Sequence, residues 1–131
     1  MTYDFAVSDV IAATPQAIYE AWMTSLGHSA MTGAEAKIDE RLGEPYYAWD
    51  GYITGRTLVL EPNHRIVQSW RTAEFVEADS DSQIDVLLEP VESGTKITIH
   101  HTNVPDGHLG YEQGGWQESY FDPMKRFFAT N

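Results

Sequence analysis

The sequence predicts an α+β domain in which a curved antiparallel sheet of about six to seven strands wraps around one long C-terminal helix. Three observations support this fold class. A short helical segment follows the first strand, strand-like segments separated by turns fill the middle of the chain, and an amphipathic helix ends it. Strands joined by short hairpins pair antiparallel, and a helix laid across such a sheet buries the apolar surfaces of both.

The first third of the chain predicts a strand, a short helix and a second strand. Apolar and polar residues alternate over residues 3–11, which indicates the first strand. Thr14-Pro15 is a typical helix start, since a hydroxyl cap precedes a proline at the first helical position. Residues 25–33 are mostly small and include two glycines, which indicates a short helical turn or a loop. Alternation over residues 36–41 predicts the second strand.

The middle of the chain contains the clearest hairpin signal. Asp50-Gly51 separates two strand-like arms, and this dipeptide readily adopts the positive backbone angles of a two-residue turn. Gly55 in the second arm indicates a β-bulge or a sharp bend that would curve the sheet. Further strands are predicted over residues 65–75, around 84–88 and around 97–101.

Residues 114–128 predict the helix around which the sheet folds. Large apolar residues recur there at steps of four, four and three, which places them on one side of a helix. Pro123 removes one hydrogen bond of that helix, so we expect a kink or a local break at this position. The residues of the apolar side are Trp116, Tyr120, Met124 and Phe127.

Composition and charge restrict the classes of function. The chain has 131 residues, which fits one domain over residues 1–131, and 8 basic against 20 acidic residues give a net charge of −12. Such a charge opposes nucleic acids and anionic membranes, so we expect neither as a partner. No apolar run approaches the ~20 residues that span a bilayer. The chain has no cysteine and no basic signal segment at its start, which fits a cytoplasmic protein.

Several motifs, taken in order, resemble those of a known family. The order of the elements is that of the START-like (SRPBCC) helix-grip fold, and the motifs resemble the homologues of the activator of heat-shock protein 90 ATPase, the AHSA-type proteins. The matching segments, which span almost the whole chain, are Thr14-Pro15 to Trp22, Met31-Thr32-Gly33, Gly51 to Gly55, Leu60-Glu61-Pro62, Arg65-Ile66-Val67, Trp70-Arg71, Gly115-Trp116 and Tyr120.

This resemblance implies a sheet and a long helix that enclose a cavity or groove. Relatives of the fold bind lipids, hormones and polyketides, and some are cyclases or hydrolases. The chaperone activator stimulates ATP hydrolysis by its partner and has no catalytic residues of its own. It also carries an additional N-terminal domain for much of the chaperone contact, whereas this chain begins with the START-like domain. We therefore expect ligand binding ahead of chaperone activation.

Aromatic side chains are the best candidates for a ligand site. Trp and Tyr residues are more numerous than a domain of this size needs to fold, and their hydroxyl and indole N–H groups can orient the polar end of a ligand. Residues 25–33 are expected to act as a lid over the cavity mouth, and residues 105–115 to form its other lip. The side chains expected to line the cavity are Met31, Tyr47, Trp49, Trp70, His101, Trp116 and Tyr120.

The sequence gives weaker indications of catalysis than of ligand binding. By alternation His101 points inward and His100 outward, so the two cannot line one cavity or hold one metal ion together. An inward His101, or an inward carboxylate at Asp39 or Glu40, could act as an acid or base, whereas a satisfied core histidine and solvated charges are the alternatives. The sequence contains no serine elbow and no glycine-rich phosphate loop. We expect neither a metal nor a cofactor.

The sequence therefore predicts a non-enzymatic START-like domain that binds a small hydrophobic ligand between the sheet and the C-terminal helix. The family resemblance implies a stress- or chaperone-related role. Two alternatives remain open: a cyclase- or hydrolase-type enzyme, and a co-chaperone-like module that binds a protein partner. A buried His101 with a pKa away from ~6.5 would favour the enzyme. An open cavity of about 300–1,000 Å³ would favour the ligand, and a filled one the partner. A monomer and a homodimer both fit the sequence.

Overall fold

One antiparallel sheet of six strands dominates the computed structural model, which describes residues 1–129. The strands are β1 (Thr2–Ile11), β2 (Pro45–Ala48), β3 (Ile53–Glu61), β4 (Arg65–Thr72), β5 (Ser82–Val91) and β6 (Gly94–Pro105). Their order across the sheet is β1-β6-β5-β4-β3-β2, so that β1 and β2 form the edges. The antiparallel sheet, together with the helices below, confirms the predicted fold class.

Two short helices follow the first strand and a longer helical segment ends the described chain. The helices are α1 (Pro15–Trp22), α2 (Ser25–Thr32) and α3 (Asp122–Ala129). The hydroxyls of Thr14 and Thr24 cap α1 and α2 by accepting a backbone N–H three residues on, each at 3.1 Å. Gly33, with a φ of 84°, ends α2. Residues 25–33, expected to be a helical turn or a loop, thus form a capped helix.

The C-terminal helical segment covers residues 115–129 and widens near its middle. Gln117–Phe121 is a π-helical turn, and the N–H of Asp122 bonds to a carbonyl five residues back. This turn precedes Pro123, where the sequence predicted a kink or a local break, and it lets the helix continue past the proline. The wide turn also buries Phe121 at 1% exposure, beside Tyr120 at 3%. Phe121 was not among the residues of the expected apolar side.

The prediction of a strand over residues 36–41 is wrong. Only Lys37 pairs with a strand in this stretch, through two backbone hydrogen bonds to Tyr47 at 2.9 and 3.1 Å. The hydroxyls of Ser25 and Ser29 in α2 instead accept backbone N–H groups of the segment, each at 2.9 Å. These side-chain bonds satisfy backbone groups that a ladder would otherwise use, so the segment is held against α2 as an extended loop.

The turn between β2 and β3 is longer than the predicted two-residue hairpin. Ala48 pairs with Ile53, which leaves a four-residue connection that contains a 3₁₀ turn at Trp49–Gly51. Positive φ angles occur at Trp49 (51°), Asp50 (59°) and Gly51 (94°). The Asp-Gly signal therefore located the turn correctly, but the left-handed backbone begins one residue earlier, at a tryptophan.

Gly55 is required by a close approach of two strands, whereas the sequence predicted a bulge or bend there. The register irregularity in this pair of strands lies between Thr57 and Val59. A Cβ atom on Gly55 would lie 1.9 Å from the carbonyl oxygen of Ser69 and 2.9 Å from the Tyr46 ring. Hydrogen in place of a side chain is what lets the backbone of β4 come this near.

Replacing Gly55 by alanine is therefore expected to lower the free energy of unfolding by about 3 kcal/mol or more, since the clash is with backbone and cannot relax by rotation. Urea denaturation measures the change. Gly110→Ala is the control, because its Cβ would meet no atom within 4 Å. Equal midpoints for the two variants would contradict the close approach.

The C-terminal helix is fixed to the sheet by the core and by a polar contact at the sheet edge. Inward side chains of β4, β5 and β6 are essentially unexposed and pack with Met124 of the helix, at 0%. Asp9 of β1 binds Lys125 at 2.7 Å and accepts a bond from Gln117 at 2.9 Å. Over residues 1–129, no helix is long and apolar enough to cross a membrane.

Candidate functional site

A cavity of about 360 Å³ lies between the sheet and the C-terminal helix, and it opens to solvent on one side. Its wall combines the connection that precedes β3, the end of β4, the turn over residues 109–111 and the first half of the C-terminal helix. Aromatic rings provide most of that wall. The lining residues are Trp49, Tyr52, Ile53, Trp70, Glu74, Gly110, Tyr111, Gly115, Trp116, Ser119 and Tyr120.

The rings of the wall are packed against one another. The centroids of Trp70 and Trp116 lie 5.5 Å apart, and Tyr111 meets Trp70 edge to face at 5.0 Å. Tyr120 continues the row beside Trp116 at 5.0 Å. Contacts of this kind hold aromatic side chains in one rotamer, so the wall is largely preformed.

Trp49 is the strained residue of the cavity. Its backbone is left-handed, a conformation that is unfavourable for a bulky side chain. Its indole Nε1 is covered by neighbouring atoms and has no hydrogen-bond partner among residues 1–129. Asp50 holds the loop in place, since its N–H bonds to the carbonyl of Glu35 and its Oδ1 accepts the Glu35 N–H, both at 2.9 Å. Strain and an unsatisfied donor are thus concentrated at one side of the cavity.

Several polar side chains lie next to the cavity, at the end of β4. The hydroxyl oxygens of Thr72 and Tyr111 lie 2.6 Å apart, and Thr72 also accepts the backbone N–H of Glu74 at 3.2 Å. Burial raises the pKa of Tyr52 against a smaller opposing effect of Thr72, and the nearby Glu74 adds to the rise. Burial likewise raises the pKa of Tyr111. Both phenols therefore remain protonated donors at neutral pH.

His101 lies behind the wall and makes a directed chain of hydrogen bonds. The indole N–H of Trp116 donates to His101 Nδ1 at 3.1 Å, so Nε2 carries the proton of the neutral ring and donates to Ser82 at 2.9 Å. The Ser82 hydroxyl in turn donates to the carbonyl of Trp70 at 2.6 Å. Burial lowers the pKa of His101 to about 3. Only the neutral imidazole has the lone pair on Nδ1 that accepts the Trp116 N–H.

His28 supports the opposite end of the wall in the same way. Its Nδ1 donates to the carbonyl of Trp22 at 2.9 Å, which leaves Nε2 to accept the hydroxyl proton of Tyr120 at 2.8 Å. Burial lowers the pKa of His28 to about 4, against a smaller opposing effect of the bond to Trp22. The sequence did not single out His28, because α2 was not recognised as a helix with an inward face.

The seven side chains expected to line the cavity separate into two groups. Four belong to the wall: Trp49, Trp70, Trp116 and Tyr120. Met31 is buried in α2 at 1% exposure, Tyr47 lies on edge strand β2 near Glu35, and His101 is covered by Trp116. These three lie outside the lining.

Of the two segments expected to border the cavity mouth, one lies elsewhere and the other is part of the lining. Residues 25–33 pack as α2 against the C-terminal helix and do not contribute to the lining that the structure describes. Residues 105–115 do contribute, through Gly110, Tyr111 and Gly115. Glu74 and Tyr52 join them although neither was a candidate, because no local pattern shows that their segments meet the C-terminal helix.

The described residues offer little for metal binding or acid–base chemistry. No three His, Asp or Glu side chains within residues 1–129 are grouped so that they could hold a metal ion. Asp39 and Glu40, considered as inward carboxylates, are at the surface, where Asp39 binds Arg41 at 2.7 Å. The pKa of His101 departs from its usual value, as expected for an enzyme, but both ring nitrogens are hydrogen-bonded within the core. A general base at neutral pH needs a pKa near 7 and access to substrate.

The fold and its cavity agree with a match to a family model. Residues 12–129 match the model described as Activator of Hsp90 ATPase homolog 1-like protein. The chain belongs to this family. The resemblance drawn from the sequence motifs is thereby confirmed, and so is the START-like helix-grip architecture of the Activator of Hsp90 ATPase homolog 1-like proteins.

Relatives of the chain in this family are distant in sequence. An uncharacterized protein of Schizosaccharomyces pombe is 26% identical over 98% of this chain and 38% of its own length. An activator of 90 kDa heat shock protein ATPase homolog from Dictyostelium discoideum is 22% identical, over 98% of this chain and 33% of its own length. The chain thus spans 38% and 33% of the length of these two curated relatives.

One solved structure shows how closely the fold is shared. The crystal structure of an HSP90 activator from Plasmodium falciparum superimposes with a TM-score of 0.86 over 97% of this chain and 96% of that one. The two sequences are 20% identical, so the likeness establishes the common fold. The activity of the Plasmodium protein is not transferred by it.

Proposed function

We propose that this domain binds a small, largely apolar molecule in the cavity between the sheet and the C-terminal helix. The observation that carries the proposal is the open cavity of about 360 Å³ with an aromatic wall. Ligand sites in proteins typically measure about 300–1,000 Å³ and combine apolar walls with a few polar groups. Tyr52, Glu74 and Tyr111 supply such polar groups.

The loop of Trp49 supports the same proposal. Left-handed backbone at a tryptophan and a buried N–H without a partner both cost free energy, and such costs concentrate at ligand sites and moving segments. A ligand that displaces this loop relieves the strain and gives the indole N–H access to an acceptor. We therefore place ligand entry at the connection between β2 and β3.

A second candidate is binding to a chaperone. Membership of a family named after Hsp90 activators favours it, as do the printed names of the Dictyostelium and Plasmodium relatives. In this case the domain would work by surface contact and an empty cavity would be incidental. An enzyme of the cyclase or hydrolase type receives less support, because His101 faces the core. Cytoplasmic location, and a monomeric or homodimeric state, remain predictions.

The test combines native mass spectrometry of protein purified from its own host with melting curves against a panel of neutral hydrophobic compounds. A co-purifying mass, or a melting temperature that rises with ligand concentration, is expected. Trp49→Ala should weaken binding about tenfold, because an aromatic wall residue is lost. Tyr47→Ala is the matched control, since Tyr47 is on the same hairpin but outside the cavity. An apo mass and no stabilisation by any compound would overturn ligand binding and favour the chaperone candidate.

A further inference from the structure

We infer that the ligand of this cavity is an organic cation, namely an apolar body that carries an amine or a quaternary ammonium group. This inference rests on the proposed function and specifies the chemistry of its ligand. It follows from the electron-rich rings of the wall, from the single carboxylate among the lining residues that the structure describes, and from the charge of the surrounding protein.

Aromatic rings form much of the cavity wall. Trp70 lies 5.0 Å from Tyr111 at 86° and 5.5 Å from Trp116 at 36°, measured between ring centroids, and all three rings contribute to the cavity lining. Aromatic faces carry partial negative charge and attract cations, and tryptophan does so best. Trp49 and Tyr52 supply further rings to the wall. A site formed by several such rings satisfies an ammonium group, which brings no hydrogen-bond acceptors of its own.

Glu74 adds a carboxylate to the cavity lining. It is the acidic residue of the described lining, and no Lys, Arg or His occurs among the lining residues within the range 1–129. Its backbone N–H donates to the Thr72 hydroxyl at 3.2 Å, and that hydroxyl pairs with Tyr111, so Glu74 is held beside the aromatic wall. An anionic ligand would face this carboxylate without a countercharge, whereas a cation is attracted by it.

Arg71, the basic residue next to the lining in the sequence, makes its contacts elsewhere. Arg71 follows Trp70, but its guanidinium binds Asp81 at 2.6 Å and the carbonyls of Asp79 and Val76 at 3.2 and 3.1 Å. It therefore faces the loop that precedes β5. The whole chain carries a net charge of −12, and such a field raises the local concentration of cations at a cleft with low-dielectric walls.

The experiment compares benzyltrimethylammonium with its neutral isostere 2,2-dimethylpropylbenzene and with phenylacetate, an anion of the same ring type. Titration of tryptophan fluorescence measures binding to the full chain at low and at high salt. The cation is expected to bind on the order of five- to tenfold tighter than the isostere, and phenylacetate not to bind detectably. High salt should weaken the binding of the cation and leave the binding of the isostere unchanged.

Glu74→Gln is expected to weaken the binding of the cation about three- to fivefold and to remove most of its salt dependence. Binding of the isostere should not change. Glu77→Gln is the control, because it removes the same charge from an exposed residue outside the lining. If the isostere binds as tightly as the cation, or if both variants behave alike, the inference is overturned while the proposed function stands. If neither compound binds and the neutral panel also fails, both are overturned.

Discussion

Lowering the pH from 6.5 to 4.5 is expected to destabilise this domain by about 5 kcal/mol, through His28 and His101 alone. Burial lowers the pKa of His28 to about 4 and that of His101 to about 3. In the unfolded chain both should titrate near ~6.5. Between these values the unfolded state binds more protons, so acid favours unfolding.

The stability contributed by the two neutral rings is therefore complete above about pH 6.5 and is lost as the pH falls to about 4 for His28 and about 3 for His101. In this window the unfolded chain binds up to two protons more than the folded one. The free energy of unfolding therefore changes by about 2.7 kcal/mol per pH unit. Urea denaturation at half-unit steps of pH measures it.

His101→Gln should halve that slope whatever its effect at pH 7, because one of the two titrating groups is removed. Glutamine can still accept from Trp116 and donate to Ser82, which helps the variant to fold. His100→Gln is the control, since His100 is exposed on the other face of β6. A full slope in His101→Gln would show that its ring is not held neutral by the core.

Trp116→Ala is expected to lower the free energy of unfolding by about 3 to 5 kcal/mol and to enlarge the cavity. The indole is 3% exposed, packs against Trp70 and Tyr120, and donates to His101. Its removal costs the buried area and leaves Nδ1 of His101 without its donor. Thermal and urea denaturation measure the loss.

Free indole should restore part of that stability, because it fits the space that the missing side chain leaves. A rise of the melting temperature with indole concentration is expected for Trp116→Ala and a smaller rise for the natural sequence. Trp116→Phe separates packing from hydrogen bonding, since it retains a ring but loses the N–H, at a cost of about 1 to 3 kcal/mol. A collapsed cavity, with no response of Trp116→Ala to indole, would contradict a rigid aromatic wall.

Local patterns predicted much of the fold because short-range physics determines it. Alternation with a period of two placed His101 on the inner face of β6, where it is 0% exposed, and a threonine followed by proline marked the start of α1. The apolar spacing of Trp116, Tyr120 and Met124 placed all three in the core. Each of these features depends on residues within a few positions of one another.

Features that depend on distant partners could not be predicted in this way. Residues 36–41 alternate like a strand, but hydroxyl groups of α2 take up their backbone N–H groups. Trp49 adopts a left-handed backbone within a loop held by Glu35, fifteen positions before Asp50. Neither arrangement has a local period, so neither leaves a signal in the sequence.

The fold class, the family and the charge of this protein could be inferred from the sequence, because hydrophobic period, capping and composition are local or additive properties. Which aromatic residues form the cavity wall and which lie in the core depends on contacts between distant segments. Trp116 and Tyr120 hold their places through His101 and His28, and Tyr111 through Thr72, across 15, 92 and 39 positions of the chain. Contacts between such distant segments form when the whole chain packs, and the site exists only at that level.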